Sequence, residues 1–211
     1  MRQTRRVILS MRLDQLRNFL DHVVADAGKE FQSIEERRLD GEFDTFGDYE
    51  HAESVPAVRV GIAARAVGQE LANLVESELH ELAHIPWLHS NCKGPKHLVE
   101  LGENDPETLR MVSDLRTDQV IGLVDNYYGI SVEQLDGWKE AARLRQAMND
   151  FKHRDGARHY RDINWDESPF RFPQFQEITE QQAYDAIENV TRFLLALDRA
   201  VERSSERGAT G

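Results

Sequence analysis

Apolar residues recur every three to four positions through most of this chain, and that pattern restricts its fold more than any other feature. From Met11 to about Arg38 they fall at Leu13, Leu16, Phe19 or Leu20, Val23 or Val24, Ala27, Phe31 and Ile34. A second stripe runs through Val60, Ala64, Val67, Leu71, Leu74, Val75, Leu82 and Ile85, and a third through Ala183, Tyr184, Ile187, Val190, Leu194, Leu197 and Val201. Such spacing lines one face of a 3.6-residue helix, whereas a half-buried strand would alternate in twos, and no convincing alternation is present.

Local signals divide the stripes into elements. Ser54 and Pro56 suit a helix start and Pro86 a stop. Asp105-Pro106-Glu107 places proline at a first helical position, opening a helix toward Tyr127. Ser131-x-x-Gln134 and Thr179-x-x-Gln182 have the form of capping boxes. The expectation is an all-α, single-domain bundle of about five helices over residues 11–203. A basic extension (1–10) precedes it and a frayed tail (204–211) closes the chain, with long loops at 39–54, 86–104 and 157–178.

The chain has 211 residues, long enough for a sizeable core. Its longest apolar run, "FLLAL", is far too short to span a membrane, and Val7-Ile8-Leu9 is too short for a signal-peptide core. One cysteine, Cys92, excludes an internal disulfide framework and suits a reducing, cytoplasmic location.

A net charge of −12 argues against a protein that coats nucleic acid. The charge is uneven. Lys139 to Arg161 holds seven Lys/Arg against three Asp/Glu, a net of +4, so the rest carries −16. Such an island either meets a small anionic target or pairs with acidic neighbours in the fold.

The island contains "RQAMNDFKHRDG", Arg145 to Gly156. At about 100° per residue, with Trp138 as zero, Arg145 lies at about −20°, Asn149 at about +20°, Lys152 at about −40° and His153 at about +60°. Leu144, Met148 and Phe151 group on a separate flank, the expected core stripe. Basic residues before Gly156 also suit an ordinary helix end, where they meet the macrodipole and a left-handed cap. That does not account for Asn149, a poor helix former in mid-helix, or for Arg145 one turn before it. The chemistry such a ridge could support is metal-free phosphodiester cleavage. Histidine would move the proton, a cation would stabilise charge on phosphorus oxygens, and an amide would orient either group.

"WKEAARLRQAMNDFKHRDG" resembles the C-terminal motif helix of HEPN domains, an all-α family that includes many prokaryotic toxin and antiviral ribonucleases. The resemblance is diffuse over roughly residues 57–160, and "ARAVGQELANLVESELHELA" contributes to it. The family signature is Arg, a polar residue, three others, then His. Asn149 and His153 match it, whereas Met148 stands where the family has Arg. The resemblance implies a metal-independent endoribonuclease, with His153 as acid–base, Asn149 as orienting group, and Arg145 with Lys152 as phosphate clamps. Arg154 and Arg158 would add RNA contacts. It also implies a homodimer with a composite cleft, a protein partner or antitoxin, and no DNA target. The alternative it leaves is a HEPN-like module that binds a partner without cleaving.

Two further features are open at this point. Glu78 falls inside the apolar stripe, where a carboxylate needs a partner. That partner is either a buried structural cation, or Arg145 or His153, which Glu78 would orient. "HELAH", His80 to His84, is the HExxH string of zinc hydrolases, with His80 and His84 as ligands and Glu81 as base. A third histidine six residues after the second, with an intervening glycine, is absent, so His89 (five residues on), Cys92, His97 or Glu100 would have to improvise the third ligand. In angle both histidines sit opposite the core stripe, as if facing water.

Overall fold

The computed structural model describes residues 2–91, 106–154 and 178–208. Among these residues there are six α-helices, one 3-10 turn and no strand, so the all-α expectation holds. The helices are α1 (Arg2–Leu39), α2 (Phe46–Asn91), α3 (Pro106–Ser113), α4 (Thr117–Tyr128), α5 (Trp138–Arg154) and α6 (Glu180–Gly208). None is long and apolar enough to cross a membrane.

Several element bounds differ from the sequence expectation. Residues 2–10 belong to α1 rather than to an extension. The connection expected at 39–54 shrinks to a few residues, because α2 begins at Phe46. Its start is a reciprocal cap: Thr45 N–H donates to Asp48 Oδ2 (3.1 Å) and Asp48 N–H donates to Thr45 Oγ1 (3.2 Å). Pro86 does not stop α2, which runs to Asn91. An interior proline forfeits one hydrogen bond, and here burial of Ala83, Pro86 and Leu88 offsets the loss. The remainder of the 86–104 loop, and 157–177, lie outside the described residues. The helix expected from Pro106 to Tyr127 divides into α3 and α4 at Asp114–Arg116. Residues 204–208, expected in the tail, continue α6.

The two capping boxes read from sequence fare differently. Thr179 N–H donates to Gln182 Oε1 (3.0 Å) and Gln182 N–H to Thr179 Oγ1 (3.2 Å), opening α6 as expected. Ser131 opens only the 3-10 turn Val132–Gln134, and α5 starts later. Between them Gly137 has φ +81, and a Cβ there would lie 2.5 Å from Asn189 O and 2.8 Å from Phe193 N. Only glycine combines that backbone conformation with such an approach to α6.

The chain forms two compact units, and α2, α5 and α6 each contribute to both. One unit comprises Met1–Leu71 and Arg143–Glu188. Its core on α1 is Leu13, Leu20, Ala27 and Ile34, a strict seven-residue repeat that keeps one seam facing inward along the helix. Ala64, Val67 and Leu71 of α2, Met148 of α5 and Ile187 of α6 complete that core. Arg12–Glu70 (2.6 Å) and Arg59–Glu30 (2.8 Å) pair α1 with α2 as an antiparallel hairpin. Tyr184 on α6 donates to Asp21 on α1 at 2.6 Å. Partial burial and that bond push its phenol up to about 12.

The other unit comprises Ala72–Ala142 and Asn189–Gly211. Leu74, Val75, Leu79, Ala83 and Leu88 of α2 are buried, with Val120 and Val124 of α4 and Phe193 and Leu197 of α6. Trp138 stacks on Phe193 with ring centroids 5.2 Å apart. Asp125 ties α4 to the following turn by accepting from Val132 N–H at 2.8 Å.

Candidate functional site

The polar ridge of α5 begins with the packing of its opposite flank. Met148 is 1% exposed and Leu144 and Phe151 are partly buried, so the core stripe expected for this helix is present. Gly68 of α2 is the reason α5 comes so close. A Cβ on it would sit 3.2 Å from Met148 Sδ, 3.3 Å from Ile178 Cδ1 and 3.5 Å from Leu144 Cδ1. The position of the family's arginine in the resemblance therefore points into the core of this chain, not toward a cleft.

Arg145 and Asn149 lie one turn apart and both are half-buried, with Nε and Nη1 of Arg145 withdrawn from solvent. Lys152, the next group along the ridge, is exposed. The backbone of α5 extends through His153 and Arg154 in its last turn. The side chains of His153 and Arg154, and all of Arg158, lie outside the described residues. The ridge thus has a sequestered start and an open end. That arrangement suits a phosphate better than a purely solvated helix face does, since a guanidinium with little water around it binds an anion more strongly.

One cation near this helix escaped the sequence reading. Arg65 of α2 places its guanidinium 5.0 Å from the Phe151 ring centre, a cation–π contact. Phe151 lies on the packed flank of α5, about 100° around the helix from Lys152, so the contact brings a cation of α2 against that flank. The signal was Gly68: a glycine in mid-helix, three residues after Arg65, marks where another helix crosses. No spacing rule linked it to α5.

The HELAH string occupies α2 in the other unit. His80 does not face water. Its Nδ1 lies 2.9 Å from Val112 O and, carrying the proton, donates to that carbonyl, tying α2 to the end of α3. His84 is also partly buried, and its Nε2 is withdrawn from solvent. Glu81 and His89 are exposed, and His89 stacks on Tyr127 at 5.3 Å. The outward orientation read from the helical angle is therefore corrected: the second half of α2 is covered on more than one side. Among the described residues no three His, Cys, Asp or Glu side chains are grouped to hold a metal ion. Cys92, His97 and Glu100 lie outside them. Glu78 is buried at 8% exposure, as its place in the stripe required.

No family model, curated protein or solved structure matches the chain.

Proposed function

We propose that this chain is a HEPN-like, all-α cytoplasmic protein that binds RNA through the α5 ridge. In its stronger form the reading is of a metal-independent endoribonuclease of a toxin or antiviral system. The observation that carries it is the half-buried pair Arg145 and Asn149 on one helix face. Neither residue type is a good choice for a half-buried mid-helix position unless it has a polar task there. Arg145 would clamp a phosphate in bidentate fashion, Lys152 and Arg65 would neutralise its neighbours, and Arg154 and Arg158 would extend the track. In a cleavage step His153 would take the proton of a ribose 2′-hydroxyl as its oxygen attacks phosphorus. The P–O5′ bond would break as the 2′-oxygen bonds to phosphorus, and the leaving 5′-oxygen would take a proton from water, giving a 2′,3′-cyclic phosphate end and a 5′-hydroxyl.

A second reading is favoured by the burial of Met148. If the guanidinium of the family motif has no equivalent at the scissile phosphate, the domain binds RNA or a protein partner without cutting. The test is purified protein with mixed RNA in EDTA, beside His153→Ala and Arg145→Ala. Cleavage lost in His153→Ala supports the nuclease. RNA binding that persists in His153→Ala and is lost in Arg145→Ala, without cleavage, supports the binding module. A protein that neither binds nor cuts RNA overturns both RNA readings. Zinc hydrolysis through HELAH is the third and weakest reading. It would require zinc-stimulated activity that Glu81→Gln abolishes.

A further inference from the structure

Ala200, Arg203 and Ser204 stand three and four residues apart on α6 and so share one face of that helix. With Tyr128, Gly129 and Ile130 at the end of α4 they line a pocket of about 300 Å³. Every lining residue belongs to the unit Ala72–Ala142 and Asn189–Gly211. The α4 wall is held by its own backbone before any ligand arrives. Gly129 takes the left-handed conformation (φ +59) and its N–H donates to Asp125 O. Ile130 N–H donates to the same oxygen at 3.2 Å, and Asp125 Oδ1 accepts from Val132 N–H. Ala200 is buried, Tyr128, Ile130 and Ser204 are half-buried, and Arg203 is exposed at the rim. A pre-formed concavity with apolar walls and a few polar groups is how small-molecule sites are built, and this volume is at the lower end of their range.

The polar groups narrow the ligand. Among the described residues the hydrogen bonding of Arg203 is confined to Nε, which donates to Arg199 O of its own helix at 3.3 Å, and no carboxylate pairs with it. An arginine kept beside a helix end for the sake of that end would donate to its carbonyls. Arg203 gives its bond to α6 instead, which leaves both terminal nitrogens for a planar acceptor with two oxygens. The charge of that acceptor is limited by its surroundings. One guanidinium faces the end of α4, which carries roughly half a negative charge, so a single negative charge is matched and a doubly charged phosphate is not. Size follows from the volume. At about 30 Å³ per water the pocket holds about ten, and a body of about ten non-hydrogen atoms fills the same space.

We propose that this pocket binds a small monocarboxylate with an aromatic or short apolar body. The carboxylate lies on the Arg203 guanidinium and the Ser204 hydroxyl, and the body rests on Ile130, Ala200 and the Tyr128 ring. The site uses no residue of the α5 ridge and stands if the protein binds no RNA.

The test is a titration of the ¹⁵N-labelled full chain with phenylacetate, an aromatic monocarboxylate of that size, followed by amide chemical shifts. The resonances of Gly129, Ile130 and Ser204 should move saturably, with a Kd of about 1 mM or tighter, within reach of so small a molecule. Phenylacetamide, the uncharged isostere, should bind at least about tenfold more weakly, because it forfeits the charge-assisted bond. Arg203→Gln should weaken phenylacetate to the same degree. That position is exposed, so the variant keeps the wild-type circular dichroism and thermal midpoint. No saturable shift at about 10 mM phenylacetate overturns the site, and so does equal binding by phenylacetamide or by the folded Arg203→Gln protein. Inorganic phosphate that displaces phenylacetate at a lower concentration than phenylacetate itself needs overturns the monocarboxylate assignment.

Discussion

Placing at Met148 the arginine that the HEPN motif carries at the corresponding position tests directly how α5 sits in this fold. If the side chain at 148 faced a cleft, Met148→Arg would place a guanidinium beside Asn149 and be tolerated. In the structure Met148 is 1% exposed and lies against Gly68, Leu144 and Ile178. An arginine there loses the packing of a buried methionine and must either desolvate its charge or push α5 away from α2. Deleting a buried Met side chain costs about 2–5 kcal/mol, and leaving a charge buried and unpaired adds several more. The arginine stem recovers part of this by reaching toward solvent. The net loss is then about 3–6 kcal/mol, most of the stability of a domain that commonly has about 5–15 kcal/mol in all. Equilibrium urea unfolding followed by circular dichroism reads the loss directly. Met148→Leu serves as the volume-matched control and should cost under about 1.5 kcal/mol. An arginine variant within about 1 kcal/mol of wild type would refute the core placement of residue 148. Gain of EDTA-resistant RNA cleavage in that variant would mean instead that the family register holds at this helix.

Further perturbations probe other joints. Gly137→Ala forces a Cβ to within 2.5 Å of Asn189 O at φ +81, so it should lower stability by about 3 kcal/mol or more, read as a large drop in the thermal midpoint. Tyr184→Phe removes the bond to Asp21 and should cost about 1 kcal/mol near neutral pH in urea unfolding. Because the fold favours the neutral phenol, that contribution is full below the ordinary tyrosine pKa of about 10 and fades as pH rises toward about 12. The wild type should therefore lose more stability than Tyr184→Phe over that interval. His80→Ala removes the donor to Val112 O and should cost about 1 kcal/mol whether or not zinc is present, read by thermal melts with and without the metal. A zinc-dependent difference would return His80 to the role of ligand.

The helical class of the chain was legible because amphipathic periodicity depends only on which residues avoid water. Boundaries were less so, since each is a balance of a few kcal/mol. Pro86 carries a stop signal that buried neighbours override. The start of α2 was available in Thr45-x-x-Asp48, a cap of the same kind as Thr179-x-x-Gln182, but it stood amid acids and glycines that read as a loop. Ser131-x-x-Gln134 has the right letters, yet the chain turns at Gly137 before α5 can begin. A cap motif fixes only its own first turn, and the path of the chain beyond that turn depends on tertiary contacts.

The candidate site was harder to read for a related reason. Helical angles assign each side chain a direction, but they carry no information on how many neighbours a helix has. With one buried face, the assignment succeeds: Met148, about 90° from the middle of the ridge, is core, and Lys152 is exposed. Where a helix is covered on several sides it fails. The core of α2 passes from Leu71, Leu74 and Val75 to Leu79, Ala83 and Leu88, while Ile85, in the original stripe, is 40% exposed. His80 lies on the face assigned to water, and the end of α3 covers it. The same limit applies to the ridge. Arg145 and Asn149 are sequestered while Lys152 on the same face is open, and their shared angle could not distinguish them. Under the RNA reading, what separates a phosphate site from a plain helix end is that graded burial, with Arg65 a further cation held against α5 by a helix remote in sequence. Arg65→Ala should therefore weaken RNA binding while leaving any cleavage chemistry at His153 intact. An unchanged affinity would reduce the contact with Phe151 to packing.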